Sequence, residues 1–124
     1  MIRKAEEKDL RAAAALAAED GGEAGFAQVQ LRHDYVEGTE TSPVGYLEGI
    51  YVRAEFRGRG VARRLLEACE GWAANKGCRE FASDCELDNA AGLSFHLHSG
   101  FTEANRIICF AKPLKPERGE THER

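Results

Sequence analysis

The stretch that decides the fold of this 124-residue chain is Tyr46-Leu47-Glu48-Gly49-Ile50-Tyr51-Val52, followed by Arg57-Gly58-Arg59-Gly60-Val61-Ala62. The first part is apolar and strand-like, and the second opens a helical pattern over Val61–Asn75. A glycine-rich turn between a strand and a helix directs several backbone N–H groups at one point, beside the positive end of the helix dipole. The sequence therefore predicts a phosphate site here; the alternative is an ordinary surface turn rich in glycine and arginine.

Strand and helix patterns alternate along the rest of the chain. Residues 1–18 predict a helix, with a short strand over 13–18 as the alternative, because an alanine run has no distinctive period. Strands are predicted over 27–31, 44–52, 78–84 and 106–111, and a second helix is predicted from Asp88-Asn89 to Ser99-Gly100. Two strands joined by a helix predict a parallel crossover and an α/β fold with a mixed sheet. The carboxyl ends of the two parallel strands should bring Val52, the glycine turn and Asp84 together at one edge of the sheet.

The composition is that of a single globular domain, predicted over residues 1–113 with a charged, mobile tail over 114–124. The net charge is −4, with 43% hydrophobic and 31% charged residues. No apolar stretch has the length of a membrane span, and the charged N-terminus does not read as a secretory signal, so a cytoplasmic protein is expected. Mild acidity without a basic stripe argues against nucleic acid and suits a cationic small molecule.

The cysteines and histidines form no metal-binding pattern. The four cysteines contain no C-x-x-C pair, and the four histidines are scattered. The sequence therefore predicts no metal site and free, mostly buried thiols.

Residues 25 to 112 resemble the GNAT superfamily of acetyl-CoA-dependent N-acetyltransferases. The family's pyrophosphate motif stands here as Arg57-Gly58-Arg59-Gly60-Val61-Ala62, and its closing motif as Asn89 at the start of a helix that ends in Ser99-Gly100-Phe101. The resemblance implies a GNAT-like mixed sheet flanked by helices, with the N-terminal strand and helices truncated. It also implies acetyl-CoA as co-substrate and a homodimer.

Within that superfamily, several strings resemble the aminoglycoside 6′-N-acetyltransferases. They are Arg32-His33-Asp34-Tyr35-Val36-Glu37-Gly38, Ser42-Pro43-Val44, Leu47-Glu48-Gly49-Ile50 and Glu80-Phe81-Ala82-Ser83-Asp84. This resemblance implies acetylation of the 6′-amine of aminoglycoside antibiotics, and hence antibiotic resistance. The alternatives are a GNAT enzyme for another amine, such as a polyamine or a peptide, and a non-catalytic acetyl-CoA-binding module.

The resemblance also assigns site residues. The cofactor would lie along the backbone of Ile50, Tyr51 and Val52, with its pyrophosphate on Arg57, Gly58, Arg59, Gly60, Val61 and Ala62, and would also contact Asn89. The substrate would contact Tyr35, Glu48, Asp84 and the position of Asn105, where the family often has an acidic residue.

Three residues are catalytic candidates, each with a structural alternative. Glu48 and Asp84 would accept the proton of the substrate ammonium, although either carboxylate could instead be an ordinary strand residue. His96, four residues before Gly100, would protonate the leaving thiolate or would simply pack near the cofactor. His98 is expected at the surface, and no cysteine lies in the setting of a nucleophile.

Overall fold

The computed structural model describes residues 2–7, 11–18 and 22–116 and shows one five-stranded mixed sheet flanked by helices. The strands, whose spatial order equals their order in the chain, are β1 (Ile2–Glu7), β2 (Arg11–Ala17), β3 (Glu23–Arg32), β4 (Val44–Val52) and β5 (Phe81–Ser83). The helices are α1 (Val61–Asn75), between β4 and β5, and α2 (Ala90–His98). The first four strands pair antiparallel, and β5 pairs parallel to β4, as the predicted crossover requires.

Helix α1 covers one face of the sheet and forms the main core with it. Its buried face carries Val61, Leu65, Leu66, Cys69, Trp72 and Ala73, which follow the helical period of 3.6 residues. Leu65 and Ala27 are completely buried where the helix meets β3. Removing the Leu65 side chain beyond Cβ would cost about 2–5 kcal/mol, the usual range for a buried leucine.

The helix predicted over residues 1–18 is wrong. Ile2–Glu7 and Arg11–Ala17 are two antiparallel strands, and the strand alternative was correct for most of its range. β2 lies between β1 and β3, and Ala12, Ala14, Ala15 and Leu16 are buried there. Pairing on both sides and burial therefore outweigh the helix propensity of alanine.

The last strand predicted over residues 106–111 is not formed in the single chain. These residues follow no regular secondary structure and are exposed throughout. β5, the sheet's last strand, pairs with β4 alone, and residues 106–111 are not added to its other edge. A strand pattern without a pairing partner cannot produce a strand. Residues 117–124 of the predicted tail lie outside the described residues.

Candidate active site

The two parallel strands share only a short ladder and then part. β4 and β5 pair at Gly45 with Phe81, at Tyr46 with Ala82 and at Leu47 with Ser83. β4 continues to Val52, so no strand among the described residues pairs with its last five residues on that side. At about 3.3 Å per residue, this open edge is about 16 Å long. The gap between β4 and β5 runs along this open edge, and the glycine turn lies at its far end.

The glycine turn follows the end of β4 and starts α1. Gly58 and Gly60 both have φ of +79°, and Gly60 is the N-cap of the helix. A Cβ at either position would meet nothing within 4 Å, so backbone conformation and not crowding favours glycine there. The first N–H groups of α1 have no carbonyl of a preceding helical turn to donate to. They therefore remain available to bind an anion.

Arg57 fixes this turn to the open edge of β4. Its Nε donates to the carbonyl of Val52 at 3.0 Å, and its guanidinium lies 6.0 Å from the centre of the Tyr51 ring. On the other side of the strand, the Arg53 N–H donates to Ala24 of β3 at 2.8 Å. Because backbone groups alternate in direction along a strand, the N–H of Val52 points into the gap.

A cluster of polar side chains lies where the shared ladder ends. The Tyr46 hydroxyl donates to Asp84, and Arg32 forms an ion pair with Glu48 at 2.9 Å between Nη2 and Oε2. The Arg32 guanidinium lies 3.5 Å above the centre of the Tyr46 ring. Two carboxylates and one arginine therefore surround a single buried tyrosine, which we call the Tyr46 cluster (Arg32, Tyr46, Glu48 and Asp84).

Burial, followed by the hydrogen bond to Asp84, raises the pKa of Tyr46 far above its ordinary value. Tyr46 is therefore a neutral hydroxyl that donates to the Asp84 carboxylate. The hydrogen bond holds this carboxylate on the same face of the sheet as Glu48, because Arg32 contacts both the Glu48 carboxylate and the Tyr46 ring.

Glu48 is the extra residue of a β-bulge. Gln28 pairs with Gly49 and the next residue, Val29, pairs with Leu47, so Glu48 has no partner on β3. The side chain of Glu48 contacts Arg32 at this bulge. A depression of about 450 Å³ beside Glu48 is lined by Arg11, Ala12, Ala13, Gln28, Val29, Gln30 and Glu48.

His96 lies on the opposite face of the sheet. Its Nε2 is 2.8 Å from the Ser83 hydroxyl and its Nδ1 is 2.6 Å from the Gly92 carbonyl, while the Ser83 hydroxyl is also 3.2 Å from the Leu47 carbonyl. Phe95 and Phe101 pack edge-on against the imidazole. When the Ser83 hydroxyl donates to the Leu47 carbonyl, both imidazole nitrogens of His96 face hydrogen-bond acceptors.

Val52, the glycine turn and Asp84, which were expected to lie together at the strand ends, are therefore separated along β4. Asp84 follows Ser83, whose partner is Leu47, whereas Val52 and the glycine turn lie five residues further along β4. The two carboxylates occupy one end of the gap and the glycine turn the other. The correction has a physical reason: β5 is only three residues long, so its end does not reach the end of β4.

The loop that carries Tyr35 is held by Glu80. The Glu80 carboxylate accepts from the backbone N–H groups of Glu40 and Thr41 at 2.9 and 2.8 Å and from the Thr41 hydroxyl at 2.5 Å. These donors, the Thr41 hydroxyl first, lower the pKa of Glu80 below its ordinary value. Val36 of this loop is buried against Val44 and Tyr46. Tyr35 itself is 75% exposed.

Two other predicted residues are placed at the borders of this region. Asn89 is the N-cap of α2, as predicted, and its Oδ1 accepts from the N–H of Gly92 at 2.8 Å. Asn105 is exposed, and its side chain accepts from the N–H of Arg106. Its neighbour Ala104 lies so close to Gly38 that a methyl group there would come within 2.6 Å of it. The Tyr35 loop and the segment before Asn105 are thus in contact.

Sequence reasoning missed Tyr46, Arg32 and Ser83 as site residues. One signal for Tyr46 was available, since it stands two residues before Glu48 and therefore on the same face of the strand. Nothing in the sequence alone pairs Arg32 with Glu48, because that contact depends on the register between β3 and β4.

The remaining chemical groups show few other candidates. Among the described residues, no group of three or more His, Cys, Asp or Glu side chains is arranged to hold a metal ion. The four cysteines are free, as expected, but only Cys69 is buried and Cys109 is exposed, so the expectation of mostly buried thiols is wrong. Burial raises the pKa of Cys69 to about 12.

No helix in the described part of the chain is long and apolar enough to cross a membrane.

Curated proteins similar to this chain are enzymes with one shared name. "Aminoglycoside N(6′)-acetyltransferase type 1" of Stenotrophomonas maltophilia is 50% identical over 99 residues, which cover 80% of this chain and 65% of that protein. The protein of the same name from Salmonella typhimurium is 47% identical over 97 residues, or 78% of this chain and 67% of that protein. The chain thus spans about two thirds of the length of these relatives.

Solved structures and a family model agree with the fold described above. The aminoglycoside N-acetyltransferase AAC(6′)-Iy in complex with CoA has a TM-score of 0.82 and 44% identity, and the match covers 86% of this chain and 79% of that one. A complex of AAC(6′)-Iy with the bisubstrate analogue CoA-S-monomethyl-acetylneamine also has a TM-score of 0.82. The model of the acetyltransferase (GNAT) family matches residues 2–101. This chain, with its mixed sheet, its parted strands and its glycine turn, belongs to the GNAT family of acetyltransferases.

Proposed function

We propose that this protein is an acetyl-CoA-dependent N-acetyltransferase that modifies the 6′-amine of aminoglycoside antibiotics. The observation that carries the proposal is the arrangement of the gap between β4 and β5, which has an anion-binding turn at one end and two carboxylates at the other. An acyl donor with a pyrophosphate and an acceptor with ammonium groups fit these two ends. Relatives at 47–50% identity carry the name of this activity.

The glycine turn fits the pyrophosphate of acetyl-CoA. The positive φ of Gly58 and Gly60 opens the backbone beside the start of α1, and no side chain would obstruct the space at either Cα. Arg57, Arg59, Arg63 and Arg64 add positive charge around the turn. The open edge of β4 at Ile50, Tyr51 and Val52 would accept the pantetheine arm as an added strand does. Asn89, at the start of α2, is the further predicted contact.

When bound, acetyl-CoA supplies the thioester whose acetyl group is transferred. Attack by the amine forms the C–N bond and breaks the C–S bond, so one proton leaves nitrogen and one reaches sulfur. Glu48 or Asp84, directly or through a water molecule, would accept the proton from nitrogen. The Val52 N–H, which points into the gap, would stabilise the negative charge on the carbonyl oxygen.

His96 is the proposed acid for the leaving sulfur. It lies across the sheet from the two carboxylates, and the strands part immediately after Ser83, to which it is hydrogen-bonded. A base on one face and an acid on the other face match a reaction in which the amine and the thiol lie on opposite sides of the acetyl carbon.

The experiment that tests the proposal is thiol release from acetyl-CoA with a panel of aminoglycosides that have or lack a free 6′-amine. We expect turnover only with the 6′-amino compounds. Turnover with polyamines or peptides alone would favour the alternative acceptor. Binding of acetyl-CoA by calorimetry without turnover on any amine would instead indicate a non-catalytic module. Tyr35, Glu48, Asp84 and Asn105 are the proposed substrate contacts in this assay.

We further infer that the protein works as a homodimer in the cytoplasm, without nucleic acid or membrane. Residues 106–111 have the two-sided apolar pattern of a buried strand, yet Ile107, Ile108 and Phe110 are 71%, 80% and 91% exposed. The outer edge of β5 carries no strand from the described part of the same chain. In a dimer with a twofold axis, residues 106–111 of each copy would pair with β5 of the other copy. This pairing would bury the apolar segment and cover the open edge of β5. The exposed thiol of Cys109 suits a reducing compartment.

A further inference from the structure

The Arg32 side chain occupies a position that has the chemistry of an ammonium site. Its guanidinium lies between the Glu48 carboxylate, at 2.9 Å, and the face of the Tyr46 ring, at 3.5 Å from the ring centre. A carboxylate beside an aromatic face is a general way in which proteins bind an ammonium group. Contacts other than Arg32 also hold the Tyr46 ring, since its hydroxyl donates to Asp84 and the ring packs against Val36 and Val44.

The arginine can leave this position without disturbing the core. The side chains of Arg32 and Glu48 are 37% and 33% exposed, and exposed ion pairs of this kind are weak. Asp84 keeps its hydrogen bond from Tyr46 when the guanidinium moves. The Tyr46 cluster would then present two carboxylates and an open aromatic face.

We propose that Arg32 is an internal occupant of the acceptor's ammonium site, which the substrate ammonium displaces and to which Arg32 returns after acetylation. This inference rests on the proposed function, because it takes the acceptor to be a cationic amine. An ammonium group competes with the guanidinium for Glu48. The product amide has no charge and does not compete, so the return of Arg32 to Glu48 favours release of the product. Arg32 is thus a specificity-determining residue that distinguishes substrate from product.

The test compares the binding of kanamycin A and of 6′-N-acetylkanamycin A to wild-type protein and to Arg32→Gln by calorimetry, with CoA present. The variant should bind kanamycin A about fivefold more tightly, which is the upper range for an exposed ion pair. It should bind the acetylated product with unchanged affinity. Arg79→Gln, which removes one exposed positive charge for which the structure shows no ion pair, is the charge-matched control and should change neither.

Two results would overturn the inference. Weaker binding of kanamycin A by Arg32→Gln would mean that Arg32 helps to build the site. An equal gain for substrate and product would mean that Arg32 only repels cations in general.

A second measurement separates this inference from the proposed function and does not depend on the folding of the variant. The side-chain Nε signal of Arg32 is followed by NMR in wild-type protein during titration with kanamycin A and, separately, with spermine. If kanamycin A is not bound at all, the proposed function fails, and a change of the Arg32 signal with spermine would still support displacement. A signal that neither polycation alters contradicts the inference.

Discussion

At the scale of single residues, the hydrogen bond between Tyr46 and Asp84 organises the end of the gap that carries the two carboxylates. Tyr46 is buried and neutral, and Asp84 is exposed, so the hydroxyl fixes a carboxylate that would otherwise be free to rotate. Hydrogen bonds to charged groups contribute about 1.5–3 kcal/mol. This contact therefore has enough free energy to set the geometry of substrate binding.

Tyr46→Phe should raise KM for a 6′-amino aminoglycoside about tenfold and leave KM for acetyl-CoA unchanged. Asp84→Asn should raise the same KM to a similar extent. It removes the carboxylate that Tyr46→Phe leaves in place without its hydrogen-bond donor. Steady-state kinetics of both single variants and of the double variant test this expectation. If the two residues act together, the double variant is no worse than Asp84→Asn; full additivity would contradict the coupling.

His96→Gln should lower kcat about 100-fold, the usual contribution of a general acid, with little change in either KM. His98→Gln is the matched control. His98 lies two residues later on the same helix, is exposed and is hydrogen-bonded to Ser94, so its replacement should leave kcat unchanged. An unchanged kcat in His96→Gln, together with a lower melting temperature, would show that the imidazole only packs between Phe95 and Phe101.

At the scale of elements, the glycine turn and the loop held by Glu80 are the two segments that position the site. Each depends on a small number of contacts: the positive φ of Gly58 and Gly60 in the first, and one carboxylate with three donors in the second. Both can be changed without touching the main core, so their effects on binding and on stability can be separated.

Gly60→Asp should abolish binding of acetyl-CoA, because a carboxylate would face the pyrophosphate at the start of α1. Gly77→Asp is the control at the other end of the same helix, where glycine also has positive φ and open space. Both variants place a non-glycine residue at a positive φ, which costs about 1–2 kcal/mol in each. Calorimetry should show loss of binding in Gly60→Asp alone, and equal affinities in the two variants would refute the phosphate role of the turn. Combining Gly60→Asp with Arg57→Ala should likewise leave no measurable affinity.

Glu80→Gln should destabilise the Tyr35 loop at neutral pH and reduce the dependence of stability on acid. The folded state lowers the pKa of Glu80, so its contribution is present above the ordinary glutamate value of 4.5 and is lost as the pH falls through the lowered value. Thermal melts between pH 7 and pH 3 should therefore converge for the variant and the wild type at the acidic end. A constant difference over this range would contradict the role of the Glu80 carboxylate.

At the scale of the whole molecule, the C-terminal segment over residues 106–111 carries a continuous run of exposed apolar side chains. Ile108 and Phe110 alternate with Ile107 and Cys109, so both faces of the segment are apolar, and all four residues are exposed. Exposed apolar residues in a continuous run indicate an interaction surface.

Ile108→Asp combined with Phe110→Asp should convert a dimer to a monomer, because two charges would lie in the exchanged strand. Light scattering after size-exclusion chromatography measures the mass of both forms. Leu87→Asp is the control, since Leu87 is also 76% exposed but lies outside this segment. A wild-type protein that is monomeric at all concentrations would refute the exchange of strands.

The sequence by itself determined the elements whose signals are local. The period of α1, the N-cap Asn89 and the glycines of the turn each depend on neighbours along the chain, and α1 begins and ends at the predicted residues. The motifs around Arg57 and Asn89 also identified the family, because their order and spacing are properties of the sequence.

Only the tertiary structure decided which side chains meet. The alanine run of β2 became a strand because β1 and β3 pair with it on both sides. Residues 106–111 did not, because no strand in the described part of the chain pairs with them. The Tyr46 cluster joins residues 16 and 38 positions apart, through the β3–β4 register and the short β5 ladder. Such contacts are set by pairing and burial across the sheet, which local propensity does not encode.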